Sequence, residues 1–494
     1  MEVAHSLGSV TSGVEYCCTQ LSIALPDKVY LPGSTSYLAT EADYWSAFEA
    51  DLSPACIVVP SSAQDTSVAV SLLSRYRDCK FAVKGGGHAP AAGFANIEAG
   101  VTIDLRNLNS VQVDAERATA MVAAGATWLD VYQALDPLGL AVAGGRNGNV
   151  GVGGLVTGGG ISYFSPRVGW ACDNVLNFEI VISSGEIINA NSTSNSDLWR
   201  ALKGGSNNFG IVTRFDLATF IQGDVWGGQL GFSIDNLDEV FEAFEGIASS
   251  AEYDPYTSIV TSVLFSGGWS ISNLVTYTKA IESPPLVLEP LLAIQPQISN
   301  TLVNTNLSTL TDEPSPSSLL FLSLLTISCC SRIDFQTGTY GVNLELLSNS
   351  FEIINSTVYR LLSKTSSMVI WSIAYEPLST AMTQYSKPKG GNSLGVTPSD
   401  GNAFILLISP FWTDSSITNL VKSAAWEMIN EIDRNATSMG LKQDFLYLNY
   451  ANQMQDPLHS YGESNLEALR KASMRYDPSG VFQHQVPGGF KLWR

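Results

Sequence analysis

Val83-Lys84-Gly85-Gly86-Gly87-His88 is the stretch whose reading decides the fold. It has a second half further along, Val150-Gly151-Val152-Gly153-Gly154-Leu155-Val156-Thr157-Gly158-Gly159-Gly160. Glycine lets the main chain approach a ligand closely and take positive φ. Successive backbone N–H groups in such turns make concavities that bind anions. The two clusters together predict a cradle for a large phosphate-bearing cofactor. His88, one of four histidines in the chain, is placed to meet the cofactor's reactive ring.

Working outward from the first cluster, Cys56-Ile57-Val58-Val59-Pro60 reads as a short buried strand. Asp65-Thr66-Ser67 offers an N-cap, and Val68, Leu72, Leu73 and Tyr76 follow at helical spacing. Phe81-Ala82-Val83 is the next strand and runs straight into the glycines. Strand, helix and strand in that order argue an α/β unit. Val101, Ile103 and Leu105 alternate with polar residues, as on a half-buried strand. Met121 to Gly125 reads as another strand, and Thr127-Trp128-Leu129-Asp130 as a capping box with Asp in place of Glu. Beyond the second cluster, Phe178, Ile180 and Ile182 alternate, and a short helix over 198–203 precedes Gly204-Gly205-Ser206-Asn207-Asn208-Phe209-Gly210. Residues 1–50 show little periodicity and read as irregular.

After Phe220 the pattern changes. Leu237, Val240, Phe241, Phe244 and Ile247 form one apolar stripe on a helix. Alternating runs follow at 257–279, 367–376, 403–412 and 444–451, with helices near 416–438 and 465–475. A sheet of antiparallel strands mixed with helices is the expectation for this part.

Composition bounds the function. The chain has 494 residues, 45% of them apolar, and a net charge of −20. That acidity argues against a nucleic-acid partner or an anionic membrane surface, both of which select basic patches. The longest apolar run, Leu319 to Cys330, is too short to span a bilayer. Seven cysteines include no C-x-x-C pair, so no metal site is expected. Cys17 or Cys18 bridged to Cys56 or Cys79 would suit an oxidising compartment. Sequons at Asn191, Asn306, Asn355 and Asn435 lean the same way, towards the secretory pathway. The N-terminus, Met1-Glu2-Val3-Ala4-His5, has no apolar core of a signal peptide. The chain is therefore either intracellular or has lost such a signal.

No P-loop pattern occurs, and Gly151-x-Gly153-Gly154 fails the G-x-G-x-x-G fingerprint because position 156 is Val. Six motifs instead occur in one order. They are Val83 to His88 with Asp104-Leu105, Gly151 to Gly160, Asp173-Asn174, Gly204 to Thr213, Tyr447-Leu448-Asn449-Tyr450, and Tyr476-Asp477-Pro478-Ser479-Gly480-Val481-Phe482. In these motifs the chain resembles the berberine-bridge-enzyme-like branch of the FAD-linked oxidases, which have the vanillyl-alcohol-oxidase fold. The resemblance covers roughly residues 50–220 and 440–490 well, and the middle poorly. It implies an α+β protein: a two-part, PCMH-type FAD-binding domain split around a substrate domain built on an antiparallel sheet covered by helices. The expected segments are 1–50, an FAD-binding domain at 51–220, a substrate domain at 221–440, and a return at 441–494.

The resemblance also implies the site. His88 would carry a single covalent bond to FAD. The members with two tethers have a Cys where this chain has Asn147. Lys84 stands where Arg is usual, and either cation can neutralise phosphate. Gly85, Gly86, Gly87, Gly151, Gly153, Gly154, Gly158, Gly159, Asp173, Asn174, Gly210, Ile211, Val212 and Asn449 would contact the cofactor. Leu155 replaces a His that helps hold charge on the reduced flavin, so another donor must serve. Val150 matches the position that gates O₂, where a small residue resembles the oxidases. Cys172 reads as a core thiol.

A Tyr or Glu in the family takes the substrate's proton while hydride passes to flavin. On an extended strand Tyr447 and Asn449 share one face and Tyr450 takes the other, which favours Tyr447 as base over Tyr450. Glu376 is the third candidate, the alternative being a solvated charge at a strand end. Phe265, Trp269, Trp371, Tyr375 and Phe411 suggest an apolar, polyketide- or alkaloid-like small-molecule substrate, with O₂ as the second. A carbohydrate oxidase, a flavin-pocket isomerase or cyclase without net oxidation, and a non-catalytic flavin-binding module stay open at this point. Oligomeric state is not legible.

Overall fold

The computed structural model describes residues 13–312 and 331–493. The Leu319–Cys330 run, Cys329, Cys330 and the first five residues lie outside the described residues.

Around the first glycine cluster, strands Cys56–Val58 and Phe81–Lys84 flank Val101–Asp104 and pair with it in parallel. Helix Ala63–Leu73 makes the crossover between the first two. Its N-cap is Ser62, not a residue of the 65–67 run; Asp65 instead accepts the Ser61 N–H at 2.9 Å. Val29–Tyr30 adds an antiparallel fourth strand beside Cys56–Val58, and Val101–Asp104, an inner strand of the sheet, is buried on both faces. The half-buried reading therefore fails, because a parallel sheet covered on both sides hides its alternate polar positions too. Here those positions are Thr102 and Asp104.

A second sheet of five antiparallel strands follows, in the order Val111–Val113, Thr119–Ala123, Ile211–Ala218, Val175–Val181, Ile187–Asn191. Helix Trp128–Leu135 leaves it through the expected capping box, with Thr127 and Asp130 each accepting the other's N–H. Such a cap stabilises a helix by about 1 kcal/mol.

The strands after residue 221 form one antiparallel sheet of ten among the described residues. Its centre is Val225–Ser233, Trp269–Tyr277, Thr257–Phe265, Val369–Leu378, Ala403–Trp412 and Gln336–Gly341, in that spatial order. Helices Leu237–Ala248, Leu344–Leu362 and Thr418–Ser438 bury their apolar stripes against one face. Trp371, Ile373 and Tyr375 point into that core, as do Phe404, Leu406 and Ile408. Side chains alternate across a strand, so the residues between them, Ser372, Ala374, Glu376, Leu407 and Ser409, face the other way.

The chain then returns to the first lobe. Phe81 N–H donates to the Gln485 carbonyl at 2.8 Å, and Asn208 Nδ2 donates to the Phe490 carbonyl at 2.9 Å. Sequence periodicity puts a strand at 444–451. The structure has a 3₁₀ turn at Leu448–Tyr450 there, with no ladder partner.

The N-terminal stretch is not irregular. It holds helices Gly13–Ala24, Thr35–Glu41 and Ala47–Ala50, the last two capped by the hydroxyls of Ser34 and Ser46. The first escapes pattern reading because disulfides seat it: Cys17–Cys79 and Cys18–Cys56 tie it to the parallel sheet. Cys172 is a free, buried thiol. The sequons at Asn355 and Asn435 fall inside helices, whereas glycan acceptors belong on surface loops. Among the described residues no helix is long and apolar enough to cross a membrane, and no group of His, Cys, Asp and Glu could hold a metal ion.

Candidate active site

The two glycine clusters meet backbone to backbone. A Cβ on Gly86 would lie 2.5 Å from Gly151 N, and one on Gly151 would lie 2.4 Å from Gly86 N. No side chain fits either position, so the close approach requires glycine at both. Gly154 has nothing within 4 Å of its ideal Cβ. Beside this junction lies a cavity of about 500 Å³. One wall comes from the first lobe: Gly85 to His88, Val150, Gly151, Gly153, Gly154, Leu155, Gly210, Ile211 and Val212. The other comes from the free face of the ten-stranded sheet, and Tyr447, Asn449 and Tyr450 also line it.

His88 follows Gly87, whose φ of +67° turns the chain towards the cavity. The imidazole stacks on Trp45, with ring centroids 4.0 Å apart and planes 13° off parallel. Desolvation pushes its pKa down to about 4, so the ring is neutral and keeps a nitrogen lone pair at physiological pH. Glu49 orders the loop that continues this wall. Its buried carboxylate accepts the N–H groups of Gly93, Phe94, Ala95 and Asn96 at 2.7–3.1 Å.

Several residues expected at the cofactor do not line the cavity. The Lys84 side chain is 1% exposed and its ammonium sits between Asp43 at 2.9 Å and Asp104 at 3.6 Å. Its charge is already matched, and it welds two strands to the N-terminal segment; it does not line the cavity. Asp173 accepts hydrogen bonds from Asn392 Nδ2, Ser386 Oγ and Trp170 N–H at 2.9–3.1 Å. Asn174 donates to the carbonyls of Val168 and Trp170 and accepts from Lys389 Nζ. The Asp173-Asn174 pair thus fastens the 386–392 loop of the second lobe to the first. Gly158 leaves room for Asn449, whose Oδ1 would be 2.0 Å from a Cβ there. Gly159, with φ +112°, packs under Leu394.

Because residues 448–450 form a turn, Tyr447 and Tyr450 come to the same side. Their rings meet edge to face at 4.8 Å. Asn449 Nδ2 donates to Tyr447 Oη and to the Leu155 carbonyl, both at 3.0 Å. Tyr447 Oη also accepts the Ile161 N–H at 3.2 Å. Burial pushes the phenols of Tyr447 and Tyr450 above their ordinary pKa.

Glu376 is no solvated strand end: the residue is 3% exposed. Its Oε1 accepts the Tyr450 hydroxyl at 2.7 Å and its Oε2 accepts Arg146 Nη2 at 2.7 Å. Arg146 Nη2 also donates to Tyr450 Oη at 3.1 Å, closing a three-membered ring of hydrogen bonds. Arg146 escapes sequence reading because it has no motif of its own, although Gly144-Gly145 before it and Asn147 after it mark a tight turn. Both glycines are forced, since Cβ atoms there would lie 2.2 and 2.5 Å from the Trp128 ring.

The sheet wall is apolar with a thin row of hydroxyls. Val260, Leu274, Phe335, Leu407 and Phe411 line it. Ser262, Ser372 and Ser409 also line it, and Ser372 pairs directly with Ser409 across the strands. None of the three hydroxyls has a hydrogen-bond partner among the described residues. Of the aromatics expected here, Phe411 lines the cavity. Trp371, Tyr375, Phe265 and Trp269 lie in the helix-covered core, one register step away on their strands.

Residues 54–191 match the family model described as an FAD binding domain. The chain is 36% identical to FAD-dependent monooxygenase sdcF of Emericella nidulans, over 97% of this chain and 99% of that protein. It is 35% identical to FAD-dependent monooxygenase drtC of Aspergillus calidoustus, over 100% of this chain and 94% of that protein. A chitooligosaccharide oxidase has a similar fold, with a TM-score of 0.75 at 20% identity over 97% of this chain and 99% of that one. The cavity suits the cofactor these matches imply. The crossed glycines bring bare backbone to its wall, as a bulky dinucleotide requires. Apolar Val150, Leu155 and Ile211 offer a slot for a flat ring beside the neutral imidazole. The chain belongs to the family of FAD-dependent oxidoreductases that these fungal relatives represent, with FAD as its cofactor, and has the α+β fold of the berberine-bridge-enzyme-like proteins.

Proposed function

We propose that this enzyme is an oxidase that removes two hydrogens from a C–H and an adjacent hydroxyl of an apolar, polyketide- or alkaloid-like metabolite. FAD, held by one covalent bond to His88, supplies the hydride acceptor, and O₂ takes the electrons on as H₂O₂. The carrying observation is the Tyr450–Glu376 pair on the wall opposite the glycine junction, with a 2.7 Å hydrogen bond. A base must lie within such reach of the proton it takes. Tyr450 meets the substrate hydroxyl, and Glu376 receives the proton that Tyr450 gives up. Tyr447, whose oxygen already accepts two hydrogen bonds, orients Asn449.

The apolar sheet wall supports a lipophilic substrate over a carbohydrate, which selects a dense polar lining. Val150 on the cavity wall supports access for O₂. The two disulfides support folding in the secretory pathway.

The test is a panel of phenolic polyketides, neutral alkaloids and oligosaccharides given to the air-equilibrated holoenzyme, with peroxide and O₂ uptake measured. Peroxide with a hydroxylated aromatic compound is the expected result. Turnover without peroxide would instead mark an isomerase or cyclase. The relatives named as monooxygenases raise one more outcome: labelled O₂ whose atom enters the product would replace oxidation by oxygen insertion. Val150→Leu should slow reoxidation by O₂ far more than anaerobic reduction by substrate. Equal slowing of both would reject the oxygen gate.

A further inference from the structure

Arg146 is the one Lys or Arg among the described residues that line the cavity. Its side chain is 12% exposed, and Glu376 opposite is 4% exposed. Two buried tyrosines fix its backbone: Tyr132 Oη donates to the Gly145 carbonyl and Tyr163 Oη to the Arg146 carbonyl, each at 2.9 Å. The guanidinium therefore arrives at Glu376 from a rigid turn. One guanidinium nitrogen, Nη2, reaches both the carboxylate and the Tyr450 oxygen. The titratable groups facing the pair are Tyr450, Tyr447, Tyr163 and Tyr132.

We propose that Arg146 is a positioning residue that holds Glu376 ionised and aimed behind Tyr450, and that by neutralising this carboxylate it selects an uncharged, hydroxyl-bearing substrate over an amine. The inference rests on the oxidation reading above and deepens it. A buried carboxylate without a partner takes up a proton, because charge is costly away from water. Glu376 would then be unable to receive another from Tyr450. With Arg146 in place, the substrate hydroxyl passes its proton to Tyr450 Oη as the Tyr450 proton moves to Glu376 Oε1. Bound FAD would accept the carbinol hydrogen as hydride, leaving the carbon as a carbonyl. An unpaired carboxylate would attract an ammonium group; a carboxylate already paired with a guanidinium offers it no net charge. The free hydroxyls of Ser262, Ser372 and Ser409 match the same choice, since they can donate to oxygens of a neutral molecule.

The test compares wild type with Arg146→Gln, Arg146→Lys and Glu376→Gln as flavin-loaded holoenzymes. The first readout needs no substrate: the carboxyl C=O stretch in infrared difference spectra, with Glu376→Gln as the blank. In Arg146→Gln the protonated band of Glu376 should be present at neutral pH, and in wild type absent. Arg146→Lys should restore most of the ionised form. The second readout is the acid limb of the pH profile for anaerobic flavin reduction, which should move up by about 2 units in Arg146→Gln, within the range burial produces. The third is binding of matched alcohol and amine ligands by flavin absorbance at a pH above the displaced acid limb, where the carboxylate left unpaired in Arg146→Gln should shift preference towards the amine about tenfold.

A protonated band in wild type, or none in Arg146→Gln, would overturn the proposal. So would an equal loss of activity in the Lys and Gln variants with the acid limb unmoved, the mark of a merely structural residue. The infrared result stands even if no substrate yields peroxide, so failure of the oxidase reading and failure of the Arg146 assignment are told apart.

Discussion

His88 has a low proton affinity for a physical reason: its ring is stacked on Trp45 and desolvated by the protein packed around it. A neutral imidazole is the nucleophilic form, and the covalent bond to flavin is expected to form at neutral pH. Acid-precipitated wild type should stay yellow, and His88→Ala should release its flavin to the supernatant. A colourless wild-type pellet would remove the tether. The same burial has a sign in stability. The folded pKa near 4 lies below the unfolded value of about 6.5, so the unfolded chain binds more protons between those limits. Flavin-free wild type should lose stability relative to His88→Phe as pH falls from about 6.5 to 4. Denaturant midpoints that run parallel across this window would contradict it.

At the scale of elements, the crossed glycines carry the site. Gly86→Ala places a methyl group on the backbone of Gly151, and neither main chain can yield without opening the cavity wall. The cost should be about 1–3 kcal/mol of stability, as for overpacked cores, together with loss of flavin content. Gly154→Ala is the control, because its Cβ would meet nothing; it should keep the fold. Retained flavin in Gly86→Ala would show that the junction bends. These elements also show where pattern reading works. The strand–helix–strand unit over 56–84 and the capping box at Thr127 are local signals, and the structure contains both. The strand at 444–451 is absent because alternation alone cannot supply a ladder partner. Without that strand, Tyr447 and Tyr450 share one side instead of lying on opposite faces. Lys84, Asp173 and Asn174 were legible as motif residues, but their partners, Asp43, Ser386 and Asn392, are distant in sequence. Arg146 was invisible for the same reason: Glu376 is 230 positions away.

For the whole molecule, two disulfides close loops of 62 and 38 residues at one end of the chain. Each constrains the unfolded chain by an amount on the order of 4 kcal/mol in the loop-entropy estimate. Cys18→Ser with Cys56→Ser should lower the melting temperature by several degrees, and reduction of the wild type should do at least as much. Trp45 and Asp43 lie on the same N-terminal stretch, so the flavin signal should loosen along with the melting transition. A reduced enzyme with unchanged melting would assign the stability of this corner to packing alone. The helix Gly13–Ala24 was unreadable because its seating is covalent, and no periodicity reports a bridge.

The ten-stranded sheet gives one set of alternate positions to its helices and the other to the cavity. Trp371 and Tyr375 are spent on cohesion, while Ser372, Ala374 and Glu376, threaded between them, greet the guest. Taste and sturdiness are thereby written on opposite sides of one ribbon. A lineage can re-upholster the chamber, one strand position at a time, and leave the timber of the house untouched.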